Sequence, residues 1–192
     1  MGNCNDKTIQ IVNQTVPDVV MTTKDVTEFS KPDVTQQENK ELPKVEVKNK
    51  KVERVKENLK ETKKSIILSD GSFYEGDWDS EKYRQGFGIC KFIDKDKYMG
   101  YWANNVPNGF GKVDFRNGVT FEGQFLNGKA NGYGELIESE VYQYKGGFKS
   151  NQKSGVGLKI IGDISYEGEF KNDMKNGHGV LRFKNGSYYE VN

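Results

Sequence analysis

Tyr98-Met99-Gly100-Tyr101-Trp102, followed downstream by Gly109-Phe110-Gly111, is one copy of a motif that recurs along this chain. An aromatic residue, a glycine two positions later and a second aromatic residue two positions after that occur five times, spaced by 22 to 24 residues. The triplets are Tyr74, Gly76, Trp78; Tyr98, Gly100, Trp102; Phe121, Gly123, Phe125; Tyr144, Gly146, Phe148; and Tyr166, Gly168, Phe170. A repeat of this length indicates stacked copies of one small unit that present an extended surface.

Each copy predicts a pair of β-strands. Side chains alternate across a strand, so the two aromatic residues and the glycine of a triplet share one face. A glycine pair follows each triplet and begins the second strand, in which Gly111, Val113 and Phe115 also share a face. Glycines beneath neighbouring rings leave room for those rings to lie flat. The predicted fold is therefore all-β, an elongated single-layer antiparallel sheet of repeated β-hairpins.

Turn residues separate the predicted strands. Six to seven residues rich in Asn, Lys, Ser and Gly lie between the two strands of a copy, and these are expected to form the turn. Asn117-Gly118 and Asn185-Gly186 lie between copies, where Asn-Gly is a strong hairpin signal. Ile66 and Leu68 align with a second strand, and Tyr188-Tyr189-Glu190 begins a sixth copy that has Val191 in place of glycine. Residues 65–192 thus form a domain of five full repeats with partial units at both ends.

Residues 1–64 differ sharply in composition. They hold three of the four prolines and one aromatic residue, Phe29, of the 23 in the chain. Such a segment buries too little apolar area to offset its chain entropy, so a largely disordered arm is expected. The segment from Lys44 to Lys64 contains nine basic residues and four glutamates, and its Val52, Val55 and Leu59 have helix-compatible spacing. A short basic helix near 49–64 and a solvated mixed-charge linker are both consistent with this pattern.

Several function classes are disfavoured by the residues. A net charge of +1 gives no electrostatic footprint for nucleic acid. His178 is the single histidine and has no cysteine in register, so neither a zinc site nor a Cys-His dyad is expected. The glycine pairs lie inside strands and precede no helix, which excludes a phosphate-binding loop. No cofactor and no catalytic residue are predicted.

The repeated pattern resembles the MORN (membrane occupation and recognition nexus) repeat, in which Tyr-x-Gly-x-Trp/Phe is followed by a short turn, a polar residue and Gly-x-Gly. Asn108, Asn131 and Asn176 match the polar position, whereas Gln85 and Ser154 depart from it. The resemblance covers about two-thirds of the chain. It implies a sheet used for scaffolding, tethering and partner binding, near membranes or in cilia and cell-cortex structures. Direct phosphoinositide binding is also associated with the family.

The first residues resemble a dual acylation signal. Removal of Met1 would expose Gly2 for myristoylation, and Cys4 stands close enough for palmitoylation, although Asp6 replaces the expected Ser or Thr. One myristoyl chain gives only marginal attachment to a membrane, so stable membrane binding requires the second acyl group at Cys4. A fortuitous Met-Gly start is the alternative.

A binding surface is expected opposite the rings. The central residues of the glycine pairs form a predicted column there: Phe87, Phe110, Tyr133, Val156 and His178. Either this column receives an extended or helical segment of a partner, or it completes a second packed face. Five acidic residues are expected to flank the column and to favour a basic or amphipathic partner: Glu75, Asp77, Glu122, Glu167 and Glu169.

These features predict a non-catalytic scaffold on the cytoplasmic face of a membrane, which recruits cytoskeletal or cortical proteins. One alternative is a soluble structural subunit of a cilium or another large assembly, and a third is a phospholipid-binding module. The last strand, Tyr188 to Val191, has a free edge, so a homodimer or an added partner strand is also expected there.

Overall fold

The computed structural model describes residues 64–192, which form one open antiparallel sheet. Its twelve strands are β1 (Lys64–Ile67), β2 (Phe73–Trp78), β3 (Arg84–Lys91), β4 (Lys97–Ala103), β5 (Val106–Asp114), β6 (Thr120–Leu126), β7 (Lys129–Ser139), β8 (Tyr142–Lys149), β9 (Gln152–Ile161), β10 (Ile164–Lys171), β11 (Met174–Phe183) and β12 (Tyr188–Val191). Each strand pairs with its neighbours in sequence, so the sheet is a single-layer meander. The predicted all-β sheet of repeated hairpins is confirmed.

A continuous row of glycines sets the register of the sheet. One glycine from each strand between β2 and β11 lies directly opposite a glycine of the next strand: Gly76, Gly88, Gly100, Gly111, Gly123, Gly134, Gly146, Gly157, Gly168 and Gly179. Lys64 continues the row at β1, and Val191 continues it at β12. The missing Cβ atoms leave a shallow channel across ten strands, and the aromatic rings lie over this channel.

Ten aromatic rings zigzag along this channel. Each first aromatic residue of a triplet contacts the second aromatic residue of its own repeat edge to face, and in the first four repeats it also contacts that of the next repeat. Across the five repeats these contacts have centroid distances of 5.0 to 5.5 Å and interplanar angles of 81° to 89°. Edge-to-face geometry is favoured by the ring quadrupole. The core is therefore a line of rings on one face of the sheet, hereafter the ring face; the opposite side is the open face.

The turns within the repeats are shorter than the sequence indicated. Two residues connect β4 to β5, β6 to β7, β8 to β9 and β10 to β11, and both have positive φ: Asn104 and Asn105, Asn127 and Gly128, Ser150 and Asn151, Asn172 and Asp173. These are the left-handed angles of a type I′ hairpin turn, which matches the strand twist. The expectation of a six- to seven-residue turn was wrong, because in each of these repeats four of the six residues belong to the strands.

A bulge accounts for the remaining residues. Between Gly123↔Gly134 and Phe125↔Ala130, three residues of β7 lie opposite Gln124 alone. The hairpin within each of the other four repeats has the same shift. The middle residue of each three is the first glycine of a pair, and all five have positive φ: Gly86, Gly109, Gly132, Gly155 and Gly177. The two glycines of a pair therefore have different roles, since the first forms a bulge and the second lies beneath a ring.

Each hairpin turn also contacts the preceding repeat. The second turn residue donates its N–H to a carbonyl one repeat earlier, as in Asn151 N to Ala130 O at 2.9 Å. Its side chain accepts the N–H of that same residue, with Ala130 N to Asn151 Oδ1 at 2.7 Å. Asn105 and Arg84 form the same reciprocal pair, as do Asp173 and Lys153. Neighbouring hairpins are thus joined at their turns as well as along their strands.

Candidate functional site

The ring face is closed by its own side chains. Tyr98 crosses the glycine row and donates its hydroxyl to the Tyr101 carbonyl at 2.8 Å, and Tyr74 bonds the Asp77 carbonyl at 3.0 Å in the same way. Burial raises the pKa of the Tyr74, Tyr98 and Tyr144 hydroxyls well above the usual tyrosine value. Burial also raises the pKa of Tyr166. These hydroxyls are neutral hydrogen-bond donors at physiological pH and serve the packing.

Cationic side chains cover parts of the ring face. The guanidinium of Arg84 lies 4.3 Å from the Trp102 ring centroid and donates to the carbonyl of Asn105 at 2.6 Å. Lys153, which is buried, lies 5.6 Å from the ring centroid of Tyr144. Cation–π contact compensates part of the cost of burying such charges. The ring face is therefore packed, and it offers few exposed apolar side chains to a partner.

The open face differs, because an exposed or half-exposed apolar side chain recurs on it at equivalent positions of the second, third and fourth repeats. Tyr133 is 41% exposed and Val156 is 69% exposed, and Phe110 is half-exposed at the equivalent position of the second repeat. Tyr101, 42% exposed, extends this series towards β3. Tyr101, Phe110, Tyr133 and Val156 are hereafter the apolar strip, which runs across the strands from β4 to β9.

Two members of the predicted column lie outside this strip. Phe87 is buried, and its ring contacts Tyr101 edge to face at 5.7 Å. His178 is exposed, and its Nδ1 lies 2.7 Å from Asn192 Oδ1. The predicted column therefore changes along its length, from a packed aromatic pair at β3 and β4 to a polar end at β11.

Carboxylates border the apolar strip. Alternation places the five predicted acidic residues, Glu75, Asp77, Glu122, Glu167 and Glu169, on the open face together with Glu135. The two lysines of the row next to the strip each lie against a carboxylate, with Lys112 3.1 Å from Asp114 and Lys145 3.7 Å from Glu135. This row therefore carries charges of both signs, and on the turn side of the strip the open face carries three exposed lysines, Lys129, Lys149 and Lys171.

Sequence reasoning missed one function that two polar side chains share. The Asp77 carboxylate accepts the Phe87 N–H at 2.8 Å, and Gln124 Oε1 accepts the Tyr133 N–H at 3.2 Å. Each of these residues is the single residue opposite a bulge, so its side chain satisfies a backbone donor that the bulge leaves unpaired. The available signal was an acceptor residue between the glycine and the second aromatic residue of a triplet. Asp77 therefore supports the hairpin as well as carrying charge.

Residues 64–192 form no metal-binding arrangement. In that range no three His, Cys, Asp or Glu side chains come together in a way that would hold a metal ion. Cys90 is a buried free thiol within the core. No helical segment in the same range has the length and hydropathy of a membrane span. Gly2, Cys4 and the predicted basic helix, apart from Lys64, lie outside the described residues.

Comparison with protein-family profiles agrees with this repeat structure. The MORN repeat family profile matches residues 74–97, 98–120, 121–137, 144–163 and 166–188. A search of curated proteins found no match. Among solved structures, the chain is similar to the TCP domain of SAS-4 (dCPAP) from Drosophila melanogaster, solved in complex with a proline-rich motif of Ana2 (dSTIL). That similarity has 12% identity and a TM-score of 0.32, and it covers 84% of this chain and 97% of the other.

The family match covers more than half of the chain and coincides with the hairpins of the sheet. MORN repeats are a non-enzymatic repeat family and indicate a module for protein interaction or membrane binding. With five repeats in continuous register, this chain belongs to the MORN repeat family.

Proposed function

We propose that this chain is a non-catalytic scaffold, anchored to the cytoplasmic face of a membrane by acyl groups on Gly2 and Cys4, that recruits a cytoskeletal or cortical protein. The recruiting surface in this proposal is the open face of the sheet. The observation that carries the proposal is the apolar strip, whose side chains are exposed while the rings on the other face are buried. Exposed apolar side chains arranged in a row and bordered by charge are typical of a protein-binding surface.

The anchoring part of the proposal depends on two acyl groups. A single myristoyl chain binds membranes with an association constant of only about 10⁴ M⁻¹, so Gly2 alone would leave the protein in exchange with the cytosol. Palmitoylation of Cys4 would convert this exchange into stable attachment.

Membrane fractionation of the full chain in eukaryotic cells tests the anchor. Wild type is expected in the membrane fraction, Gly2→Ala in the cytosol, and Cys4→Ser in both; Asn3→Ala is the matched control and should behave as wild type. Mass spectrometry of the native N-terminus identifies the acyl groups directly. If Gly2→Ala leaves the distribution and the assembly of the protein unchanged, a soluble structural subunit becomes the better description.

Flotation with liposomes tests the lipid-binding alternative. Full-length protein made in bacteria without N-myristoyltransferase carries no acyl group, and it is expected to remain unbound to vesicles containing phosphatidylserine at physiological salt. Flotation of this unmodified protein would assign membrane binding to the chain itself.

A photocrosslinking amino acid at Tyr133 tests recruitment in cells. The full chain should capture a protein from the open face, whereas the same amino acid at Tyr83, exposed in a turn of the first repeat, should not. Equal crosslinking from both positions, or none from either, would contradict a binding surface at the strip.

A further inference from the structure

We infer that the ring face of the fourth repeat holds an anion-binding site, formed by Lys153, Lys159 and the hydroxyl of Tyr142, that receives the carboxylates of an acidic segment of a partner protein. The site lies on the opposite side of the sheet from the apolar strip. It is therefore a second binding site, and it does not depend on the role proposed for the open face. Three properties of the ring face point to it: buried ammonium groups, their convergence on one hydroxyl, and an excess of positive charge.

Buried lysine side chains interrupt the apolar core at the fourth repeat. Lys159 is 7% exposed and pairs with Tyr144 on one side and Tyr166 on the other. The equivalent positions of the other four repeats hold apolar residues: Cys90, Val113, Leu136 and Leu181. Lys153 is 9% exposed, where the third repeat has Ala130. Burying an ammonium group costs free energy that an apolar side chain avoids, so these lysines indicate a function besides packing.

Both ammonium groups approach the side chain of Tyr142. Lys153 Nζ lies 3.5 Å from the Tyr142 hydroxyl oxygen, and Lys159 Nζ lies 5.2 Å from the centroid of the same ring. Lys153 Nζ lies 5.7 Å from that centroid, so the two nitrogens are at most about 11 Å apart. Side chains on one face of an extended segment recur about every 7 Å, and one short acidic segment can therefore contact both lysines.

The Tyr142 hydroxyl supplies a third donor. Its oxygen accepts a hydrogen bond from Lys153, and its proton has no acceptor among the described residues. The buried tyrosines differ, since Tyr98 and Tyr144 donate their hydroxyl protons to backbone carbonyls of their own strands. Because Tyr142 is half-buried, the oxygen of an incoming carboxylate can accept its proton.

The ring face around these donors is positively charged. From β8 to β11, the described side chains on this face include Lys153, Lys159 and Lys175 and no carboxylate. Alternation places Glu167 and Glu169 of the same strands on the open face. An anion that approaches the ring face here therefore meets three ammonium groups.

Three carboxylates border this part of the ring face. Asp163 lies 2.9 Å from Lys184, and Asp173 accepts the backbone N–H of Lys153 at 2.8 Å. Glu138 lies in the bulge near the end of β7, and within residues 64–192 no ion pair joins it to Lys153. With Asp163 paired, three lysines stand against two carboxylates among the described residues. The site thus keeps an excess of positive charge, which attracts a carboxylate.

The depth of the site favours a polypeptide over a bilayer. A carboxylate at the end of a flexible side chain can reach lysines that are less than a tenth exposed, whereas electrostatic binding to anionic lipid uses basic residues at the surface. The arm of this chain is a poor source of an acidic segment. Residues 1–63 contain twelve Lys and Arg and eleven Asp and Glu, and no two acidic residues are adjacent. Clustered carboxylates therefore come from another protein.

Fluorescence anisotropy with full-length, unacylated protein tests the site. The probe is a labelled peptide of six glutamates, and a peptide of six glutamines is its uncharged match. The glutamate peptide should bind at least tenfold more tightly than the glutamine peptide. Lys153→Ala combined with Lys159→Leu, which introduces the residues of the third repeat, should weaken its binding at least tenfold. Tyr142→Phe should weaken it about threefold, because one hydrogen bond is lost.

Lys129→Ala combined with Lys149→Leu is the matched control, since it removes two exposed lysines from the open face and changes the net charge equally. Its affinity for the glutamate peptide should stay within twofold of wild type. An equal loss of affinity in both double variants would indicate non-specific attraction and would overturn the inference.

Urea unfolding separates a binding role from a packing role. Lys159→Leu should have the unfolding midpoint of wild type or a higher one, because an apolar side chain replaces a buried charge. The glutamate peptide should raise the midpoint of wild type and leave that of the Lys153→Ala, Lys159→Leu protein unchanged. A lower midpoint in Lys159→Leu together with unchanged peptide affinity would assign the lysine to packing alone and would overturn the inference.

Carbodiimide crosslinking identifies the carboxylate in the site, because the reagent joins a lysine amine to a carboxylate in contact with it. Mass spectrometry should find the glutamate peptide on Lys153 or Lys159. Crosslinks from these lysines to residues 1–63 that excess peptide does not reduce would make the arm the occupant and overturn the assignment to a partner. Flotation with phosphatidylserine vesicles that is lost in the Lys153→Ala, Lys159→Leu protein would assign the site to lipid and also overturn it. Photocrosslinking at Tyr133 tests the open face separately, so either role can fail alone.

Discussion

Gly128 donates its backbone N–H to the carbonyl oxygen of Pro107 at 2.8 Å, and Pro107 has no N–H to return. Elsewhere in the array the second turn residue is Asn or Asp, and its side chain accepts the N–H of the residue one repeat earlier. Glycine therefore occupies this turn position where the preceding repeat has proline, and a side-chain acceptor occupies it where the preceding repeat has an N–H. The identities of the two positions are matched by hydrogen-bonding capacity.

Asn151→Gly should destabilise the sheet by about 1 kcal/mol, because the Ala130 N–H loses its acceptor while glycine tolerates the left-handed turn angle. Gly128→Asn should give no gain, since Pro107 offers no donor. In the Pro107→Ala background, however, Gly128→Asn should be stabilising by a similar amount. Urea unfolding monitored by tryptophan fluorescence measures all four proteins. Equal effects of Gly128→Asn with and without Pro107 would refute the matching.

Gly123→Val should cost about 3 kcal/mol or more, because a Cβ there would lie 2.6 Å from the Gly134 Cα and 2.7 Å from the Tyr133 carbonyl oxygen. These are backbone atoms of the adjoining strand and cannot rotate away. Gly118→Asn is the control: no atom lies within 4 Å of its Cβ, and asparagine tolerates positive φ. Its unfolding midpoint should stay close to wild type. A Gly123→Val protein that melts like wild type would mean that Gly123 does not lie directly opposite Gly134.

Phe125→Ala should reduce the free energy of unfolding by about 3 to 5 kcal/mol, as expected for a buried aromatic side chain. Phe125 contacts the rings of Tyr98 and Phe121, so its loss interrupts the zigzag between two repeats. Trp102→Ala should have a loss in the same range, and it also removes the indole hydrogen bond to the Gly88 carbonyl at 3.1 Å. Tyr188→Ala, at a side chain 60% exposed, should change stability by less than about 0.5 kcal/mol. Similar losses at Phe125 and Tyr188 would contradict the assignment of the core.

Stability should fall at alkaline pH. Burial raises the pKa of Tyr98, so the folded protein retains this proton above about pH 10, where an unfolded tyrosine loses it. The stabilisation is therefore complete below that pH and decreases as the pH rises further. Tyr98→Phe should flatten the decline in urea midpoint between pH 9 and pH 11.5. The third repeat already has Phe121 at this position, so the ring itself should be accommodated.

At pH 7 the Tyr98→Phe protein should lose about 0.5 to 1.5 kcal/mol through its hydrogen bond to the Tyr101 carbonyl. Tyr83→Phe, in an exposed turn residue, serves as the control and should retain the wild-type pH profile. A Tyr98→Phe profile parallel to wild type would show that this hydroxyl does not control the alkaline decline.

The periodicity predicted the repeat and the face on which each triplet lies. Tyr144, Gly146 and Phe148 share the ring face because side chains alternate along any strand, which is a local property of the backbone. Alternation likewise placed Tyr133 and Val156 on the opposite face. It did not indicate that Phe87 would be buried, since its exposure depends on the ring of Tyr101 on the next strand.

The bulges were beyond the reach of the sequence alone. Gly86 and Gly88 look equivalent in the motif, yet Gly86 has a φ of 66° and lies near the Asp77 side chain, whereas Gly88 lies beneath Tyr74. The difference arises from strand pairing, which places three residues opposite one. The sequence likewise suggested that Asn104 and Asn105 belong to a longer polar turn. In the structure they are the two residues that connect β4 to β5.

The amino-acid sequence by itself thus determined the hairpin unit, its number and its ring face, because those depend on spacing along one chain. Tertiary structure decided the register of the glycine row and the different positions of the two glycines of a pair, one in a bulge and one beneath a ring. It also decided the hydrogen bonds between Asn151 and Ala130, and which apolar residues of the open face stay exposed. Each of these requires contacts between strands from different parts of the chain, and the linear spacing of residues does not specify them.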